Sequence, residues 1–263
     1  MKKLFTAFVL VVLVFAAGCS VIKNPSSGDA VVIFTNSEVE NLVRDYLGIH
    51  SGDILTSDIE NITYIYSEDY QGSLEGIEIL RNLTEVHFYE NSDIRDVTPL
   101  SKLRKLRSIT LNRNTNLENL DSLAGLPFLE YLSLKRCGLT SVQFLRKFKG
   151  LKQLYINDND IKSLDGIEGV TSLEELYIGR NQISSLAPLA NLSRLNQLRA
   201  GNNNISGVSV LLGISGFKSG DGKSSGYICL YSNPLSDDDL NKTIPRLERA
   251  GVNVGYDSGG LPF

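Results

Sequence analysis

Leucine and isoleucine recur through the middle of the chain at an unequal spacing that repeats. In "LEELYIGRNQISSLAPLANLSRL", residues 173–195, they are separated by steps of three, two, five and then three. The pattern LxxLxLxxNxIxxLxxLxxL starts at positions 83, 106, 129, 151, 173 and 195, at intervals of 23, 23, 22, 22 and 22 residues. One such unit cannot bury its apolar side alone, so the pattern predicts a stack of coils that share a continuous core.

Within one unit, "LxL" predicts a short strand whose two leucines point inward while the residue between them points outward. The asparagine that follows lies in a turn, where its amide can both donate to and accept from buried backbone groups. The remaining "IxxLxxL" predicts an extended or 3₁₀ return segment. The asparagine position is occupied by Asn91, Asn114, Cys137, Asn159, Asn181, Asn203 and Asn233, so Cys137 is the one departure.

The two ends of the stack are predicted to be covered by helical caps. Ser37-x-x-Glu40 and Ser57-x-x-Glu60 have the capping-box pattern, and the first precedes an apolar helical face that includes Val39 and Tyr46. "SDDDLNKTIPRLERAG" predicts a helix at the other end. We expect a helical N-terminal cap over residues 31–61, repeats over 62–214 and a flexible insertion over 215–226. Residues 227–263 are expected to form the last repeat, the C-terminal helical cap and a loose tail.

The repeated pattern resembles the leucine-rich repeat of the short, bacterial, internalin-like class. The resemblance implies an α/β solenoid, a right-handed leucine-rich-repeat superhelix with parallel β-strands on its concave face. It also implies 3₁₀ or extended segments on the convex face and helical caps at both ends. A family of this kind implies a protein partner, and a role in adhesion or host interaction by analogy.

The N-terminus has the organisation of an export signal. Lys2 and Lys3 precede an apolar run, which ends in "AAGC" at Cys19. This junction resembles the lipobox of bacterial lipoproteins, which implies that residues 1–18 are a lipoprotein signal peptide and that Cys19 carries lipid. Residues 19–30 would then be a lipidated tether. The expected location is extracytoplasmic and membrane-anchored, at the cell surface or outer membrane. The alternative is a plain secretory signal with an incidental cysteine.

Composition and spacing remove several classes of function. A formal net charge of −4 argues against a nucleic-acid binder. Metal-ligand spacings such as CxxC or HExxH are absent, so no metal or other cofactor is expected. "GDGKSS" lacks the first glycine of a phosphate-binding loop. Cys137 and Cys229 lie four coils apart in the repeat, so we predict no disulfide between them.

The repeat also predicts which side chains leave the strands on the concave side. Tyr155 and Tyr177 hold the same position in adjacent coils, with Ser133 and Arg199 on either side of them. Tyrosine supplies large, rigid contact area at low entropic cost, which favours recognition. The candidate partner-binding residues are Glu85, His87, Tyr89, Tyr131, Lys135, Tyr155, Asn157, Glu175, Tyr177, Arg199, Tyr227 and Tyr231.

The expected function is therefore non-catalytic binding of a protein by a monomer. Three alternatives remain open. The same face could bind carbohydrate or cell-envelope glycan, although the chain has no Trp. An enzyme could use His87 with Glu85 and Thr110. A purely structural role in envelope assembly would need no partner-binding tyrosines at all.

Overall fold

The computed structural model describes residues 12–14, 19–23, 29–68, 70–90, 94–218 and 226–256. Near the N-terminus, β1 (Val12–Val14), β2 (Cys19–Lys23) and β3 (Ala30–Phe34) form a small antiparallel sheet in that order. β3 is tied to the following segment, because the N–H of Val32 donates to the carbonyl of Ile54 at 2.8 Å. Residues 19–23 are therefore a strand in this structure, within the segment for which we predicted a tether.

The main sheet has nine strands, all parallel, and they follow chain order from one end to the other. They are β4 (Tyr64–Ser67), β5 (Glu85–Phe88), β6 (Ser108–Thr110), β7 (Tyr131–Ser133), β8 (Gln153–Tyr155), β9 (Glu175–Tyr177), β10 (Gln197–Arg199), β11 (Tyr227–Cys229) and β12 (Asn253–Gly255). Each strand pairs with the equivalent strand of the next coil, which is the arrangement of a leucine-rich-repeat solenoid. The predicted fold class is confirmed.

The inward leucines set the register of the sheet. Leu154 pairs with Leu176, and Leu176 pairs with Leu198, so equivalent residues of successive coils lie side by side. All three are completely buried, and they belong to one apolar cluster that runs from Val32 to Val254. A one-residue slip would expose every inward side chain, so the core itself fixes which residues face outward.

The return segments on the opposite side are short 3₁₀ turns or extended chain, as predicted. The 3₁₀ turns are Ile77–Ile79, Thr98–Lys102, Leu120–Gly125, Gln143–Lys147, Ala187–Leu189, Ser209–Gly213 and Ser215–Phe217. Their apolar side chains at a spacing of three point into the core, as Leu186 and Leu189 do.

The asparagines form a hydrogen-bonded ladder along the stack. Asn181 Nδ2 donates to the carbonyls of Ile156 and Ile178, each at 3.0 Å, and its Oδ1 accepts from the N–H of Ile161 at 3.0 Å. Asn159, Asn203 and Asn233 repeat this arrangement. Cys137 Sγ donates to the carbonyls of Leu111 at 3.0 Å and Lys135 at 3.4 Å. Asn91 lies outside the described residues.

The N-terminal cap contains α1 (Ser37–Leu47) and α2 (Thr56–Ile59). The predicted capping residue of α1 is wrong by one position, because Asn36 Oδ1 accepts from the N–H groups of Glu38 and Val39. Gly48 ends the helix with φ of 68°, which suits glycine. Tyr46 is 47% exposed, so it does not belong to the buried face that we predicted.

For α2, the predicted serine cap is also wrong. The helix begins at Thr56, and the N–H of Leu55 donates to Asp58 Oδ2 at 2.7 Å. The cap therefore uses the side chain three residues into the helix, while Ser57 lies inside it and does not cap it.

At the other end, a π-type turn (Asp239–Thr243) leads directly into α3 (Ile244–Arg249). Ser236 Oγ accepts from the N–H of Asp239 at 3.1 Å, as expected of a capping serine. Pro245 is the second residue of α3, directly after the π-type turn. β12 then adds a strand that the sequence analysis did not predict.

The predicted flexible insertion, 215–226, is wrong at its start. Ser215–Phe217 is a 3₁₀ turn and Phe217 is completely buried. The N–H of Gly226 donates to the carbonyl of Phe217 at 3.3 Å, so the two ends of this segment meet. Residues 219–225 lie outside the described residues, as do 257–263, where we predicted a loose tail. Among the helices described, none is both long and apolar enough to cross a membrane.

Candidate recognition surface

We call the side of the nine-stranded sheet that faces away from the core the concave face. Its side chains form three rows, because the pleat turns alternate residues outward and the strands are in register. The first row contains Glu85, Ser108, Tyr131, Gln153, Glu175, Gln197 and Tyr227. The middle row contains His87, Thr110, Ser133, Tyr155, Tyr177, Arg199 and Cys229. The third row follows the strands with Tyr89, Asn112, Lys135, Asn157, Gly179, Gly201 and Tyr231.

The centre of the concave face is a continuous run of rings and one cation, which we call the aromatic ladder. The ring centroids of Tyr155 and Tyr177 are 4.3 Å apart and the rings are stacked. Tyr131 lies 5.1 Å from Tyr155 on one side. On the other side, the guanidinium of Arg199 lies 5.1 Å from the Tyr177 ring and 5.2 Å from the Tyr227 ring. The predicted adjacency of Tyr155 and Tyr177 is confirmed.

Polar contacts hold the middle of the ladder in one orientation. The hydroxyl of Tyr155 donates to Glu175 Oε2 at 3.0 Å, and Gln153 Nε2 donates to Glu175 Oε1 at 2.9 Å. Partial burial, together with this bond to a carboxylate, raises the pKa of Tyr155 above its ordinary value. Burial likewise raises the pKa values of Tyr131 and Tyr227. These rings are therefore neutral, half-buried and fixed before any partner arrives.

Lys135 approaches the ladder from the third row. Its Nζ lies 4.9 Å from the centroid of Tyr155, and desolvation lowers the pKa of the ammonium group. A groove of about 500 Å³ runs beside it along the strand ends, and Tyr89, Asn112 and Asn157 also line it.

The groove is bordered by one charged residue per coil in the left-handed region of φ. Glu90, Arg113, Arg136 and Asp158 have φ between 57° and 62°, and all four line the groove. Glu90 pairs with Arg113, and Asp158 pairs with Arg136 at 3.8 Å. This border is therefore largely neutralised within itself, in contrast to Lys135.

A second aromatic group lies at the N-terminal end of the concave face. Tyr64 and Tyr66 of β4 are 40% and 47% exposed. Tyr64 lies 5.3 Å from His87 and Tyr66 lies 5.7 Å from Tyr89, measured between ring centroids. Tyr64 and Tyr66 were not among the predicted partner-binding residues, because their coil is degenerate. The alternation in "ITYIYS" after the buried Ile62 was the available signal.

Two residues that we predicted to be open on this face are buried. Thr110 is 2% exposed and Ser133 is 0% exposed. Both are small and lie between larger side chains, so the neighbouring rings cover them. Ser133 Oγ donates to Asn112 Oδ1 at 2.8 Å. Within the middle row, the accessible residues are therefore the larger ones together with Cys229.

The residues of the enzyme alternative do lie together. His87 Nδ1 is 3.0 Å from Thr110 Oγ1, and His87 Nε2 is 3.5 Å from Glu85 Oε2. A nucleophile must be reached by its substrate, and the burial of Thr110 prevents this. The described residues contain no cluster of three metal-ligating side chains. The geometry favours a packing role for this group.

The remaining candidates lie outside the ladder. The ring of Tyr231 lies close to Gly255 in β12, since a Cβ at that glycine would come 2.5 Å from the tyrosine hydroxyl. Cys137 and Cys229 are both free thiols, in agreement with the prediction of no disulfide. Cys19, the predicted lipidation site, is 6% exposed, and its Sγ lies 3.5 Å from the carbonyl oxygen of Gly76. Burial raises the pKa of this thiol to about 11.

Comparison with known proteins agrees with this fold. A family model described as "Leucine Rich repeats (2 copies)" matches residues 171–213. Internalin C2 from Listeria monocytogenes has a similar structure, with a TM-score of 0.71 and 29% identity. The alignment covers 86% of this chain and 95% of that one.

A leucine-rich-repeat protein from Leptospira interrogans shares the fold, with a TM-score of 0.54 and 20% identity over 68% of this chain and 50% of that one. No curated protein matches the chain. The protein is a leucine-rich-repeat solenoid similar to internalins.

Proposed function

We propose that this protein binds a protein partner through its concave face, without catalysis. The observation that carries the proposal is the aromatic ladder, in which Tyr131, Tyr155, Tyr177 and Tyr227 present half-buried rings and Arg199 lies between the last two. Tyrosine and arginine are the residue types that dominate binding energy at protein interfaces. The rings are ordered in advance, so little conformational entropy remains to be lost on binding.

The size of the face also suits a protein. The face extends over eight strands, from β4 to β11, with seven spacings of about 4.8 Å between them. The length is therefore roughly 34 Å, close to the width of a typical interface that buries about 800 Å² on each partner. A small ligand would need an enclosed pocket, whereas this surface is long and open.

We further propose that the protein is anchored outside the cytoplasm by lipid on Cys19. The "AAGC" junction after an apolar run supports this proposal. In the folded chain the thiol of Cys19 is buried against the N-terminal cap. Lipid must therefore be transferred before β2 packs there, and the mature protein would leave residues 19–23 free to act as a tether.

The biological role that we propose for this binding is adhesion, with a partner on a host surface. The similarity to internalin C2 supports this role by analogy, and the chain is expected to act as a monomer. The contribution of the tyrosines to binding and the identity of the partner can both be tested without knowledge of this role.

The test is a crosslinking pull-down of surface proteins with the chain from residue 19, run beside a glycan array. The variant Tyr155→Ala with Tyr177→Ala removes the stacked pair, and Phe128→Ala removes an aromatic ring that is 50% exposed but lies outside the sheet. We expect one protein to be captured by the wild type and by Phe128→Ala. Each tyrosine truncation should weaken binding by about 2 kcal/mol, or roughly thirtyfold.

Two results would count against the proposal. Capture that the tyrosine pair does not affect would mean that another surface binds. Binding of a glycan that depends on Tyr155 and Tyr177, with no protein captured, would favour the carbohydrate alternative.

A further inference from the structure

Two cations on the concave face have no carboxylate partner within the described structure. They are Arg199 in the middle row and Lys135 in the third row. Other arginines nearby are paired: Arg113 with Glu90, and Arg180 with Asp158 at 3.4 Å. On the concave face, the two cations without a carboxylate partner therefore lie within the aromatic ladder or directly beside it.

Arg199 is held by stacking alone. Its guanidinium lies between Tyr177 and Tyr227, and its Nε is buried without any hydrogen-bond acceptor. Stacking fixes the plane of the group but uses none of its in-plane N–H donors. A planar, immobilised fork with unused donors matches a carboxylate, which it can bind through two parallel hydrogen bonds.

Arg199 stays partly exposed on the concave face, although its Nε is buried. The third-row positions on β9 and β10 are Gly179 and Gly201, which have no side chain to cover the guanidinium. On neighbouring coils the same row holds Asn157 and Tyr231. An incoming side chain can therefore reach the exposed part of the arginine.

The acids of the concave face are directed elsewhere. Glu175 binds Gln153 and Tyr155, which lie on the side away from Arg199. Glu85 lies 3.5 Å from His87, at the other end of the face. Asp158 is the anion that acts on Lys135, and Asp158 is already shared by two arginines. Neutralisation of Arg199 and Lys135 is therefore left to a partner.

We propose that the partner is a protein that presents carboxylate side chains to Arg199 and Lys135. This inference rests on the proposed function, since it concerns the same face. The two cations are three strands apart, which corresponds to roughly 14 Å. The partner would place an Asp or Glu against each, with an apolar or aromatic contact on the tyrosines between them.

A protein fits this arrangement better than a polyanion. Sulfated glycans and nucleic acids are bound by clusters of basic residues, and the chain carries a formal net charge of −4. Two isolated cations separated by rings favour isolated carboxylates on a surface that also contacts the rings.

The test uses a random dodecapeptide library displayed on phage and selected on the chain from residue 19. We expect the selected peptides to be enriched in Asp and Glu. Synthetic copies of these peptides should bind Arg199→Gln at least about tenfold more weakly than wild type, because a charge-assisted pair is lost. Arg180→Gln removes the same charge from an ion-paired arginine outside the ladder and should change affinity by less than about twofold.

A double-mutant cycle makes the assignment specific. Replacing one peptide Glu by Gln should weaken binding to wild type and have no further effect on Arg199→Gln. Equal effects on both proteins, or selected peptides without acids, would overturn the inference. Heparin that binds in an Arg199-dependent way, when the peptides do not, would replace the protein partner by a polyanion. Thermal unfolding of each variant shows whether it is folded.

The same experiment separates this inference from the function on which it rests. Peptides that need Tyr155 and Tyr177 but carry no acids would leave the recognition surface in place and remove only the carboxylates. Acidic peptides that depend on Arg199 but not on the tyrosine pair would support the carboxylates and would count against the tyrosines as the recognition surface.

Discussion

The asparagine ladder gives the sharpest stability prediction, and Asn181→Ala is the perturbation. Asn181 is 9% exposed and makes hydrogen bonds of 3.0 Å to three backbone groups, the N–H of Ile161 and the carbonyls of Ile156 and Ile178. These groups belong to its own coil and to the preceding one. Alanine removes all three bonds and offers nothing in their place.

The magnitude follows from the number of groups left unpaired. A buried donor or acceptor without a partner costs about 1 to 3 kcal/mol. Three such groups give about 3 kcal/mol at the lower limit, which applies if water enters the space that the amide leaves. A loss of this size is a large part of the 5 to 15 kcal/mol that stabilises a typical domain.

The assay is equilibrium unfolding in urea, followed by far-UV circular dichroism because the chain has no Trp. Asn204→Ala is the matched control, since Asn204 lies in the turn of the next coil with its side chain exposed. We expect the control to change the free energy of unfolding by less than about 0.5 kcal/mol. If Asn181→Ala lowers the free energy of unfolding no more than Asn204→Ala does, the asparagine ladder does not contribute the stability that we assign to it.

Three further predictions concern the core, the thiols and the aromatic ladder. Leu176→Ala should cost about 2 to 5 kcal/mol in urea unfolding and should loosen adjacent coils in hydrogen exchange, because coils are stabilised by their neighbours; protection lost at α1 and not beside β9 would contradict this. In the folded chain a thiol reagent should modify Cys229 faster than Cys137, which is 2% exposed and whose pKa burial raises to about 11; equal rates would show that Cys137 is accessible. Because the pKa of Tyr155 is raised, the folded state favours the neutral ring. The stability that this preference adds to the folded state is fully present below pH 10.0 and declines as the pH rises further. Tyr155→Phe should therefore lose less stability above that pH than wild type, and parallel curves would be evidence against the shift.

The structure of the central coils could be predicted because a single requirement determines it, namely the burial of the two leucines of each strand. In "LxL", the side chain between two buried leucines has only one place to go, so Tyr155 and Tyr177 were placed correctly from spacing alone. The asparagine ladder followed from the same logic, since turn backbone must find partners. Repetition made both inferences stronger than any single segment allows.

The ends were less predictable because they do not repeat. β3 and β12 were missed, since each is a short segment that becomes a strand only when a neighbour offers its edge. The cap of α1 was misplaced by one residue because Asn36 and Ser37 are both good capping residues, and the choice between them depends on the geometry of the preceding chain.

Burial on the concave face also lay beyond the sequence pattern. Spacing shows that Thr110 and Ser133 leave the sheet on the outer side, but it does not show that larger neighbours cover them. Likewise, the free donors of Arg199 depend on Glu175 being turned toward Gln153 and Tyr155. Such details depend on side-chain orientation, which repeats do not specify.

Site-specific photo-crosslinking tests the central claim most directly. The claim is that the aromatic ladder is the surface that contacts the partner. A benzoylphenylalanine at position 177 lies within the ladder, and the same group at position 128 replaces an exposed ring away from the sheet. On irradiation with a mixture of surface proteins, we predict one discrete crosslinked species from position 177 and none from position 128. A crosslink from position 128 alone, or equal yields from both, would contradict the account.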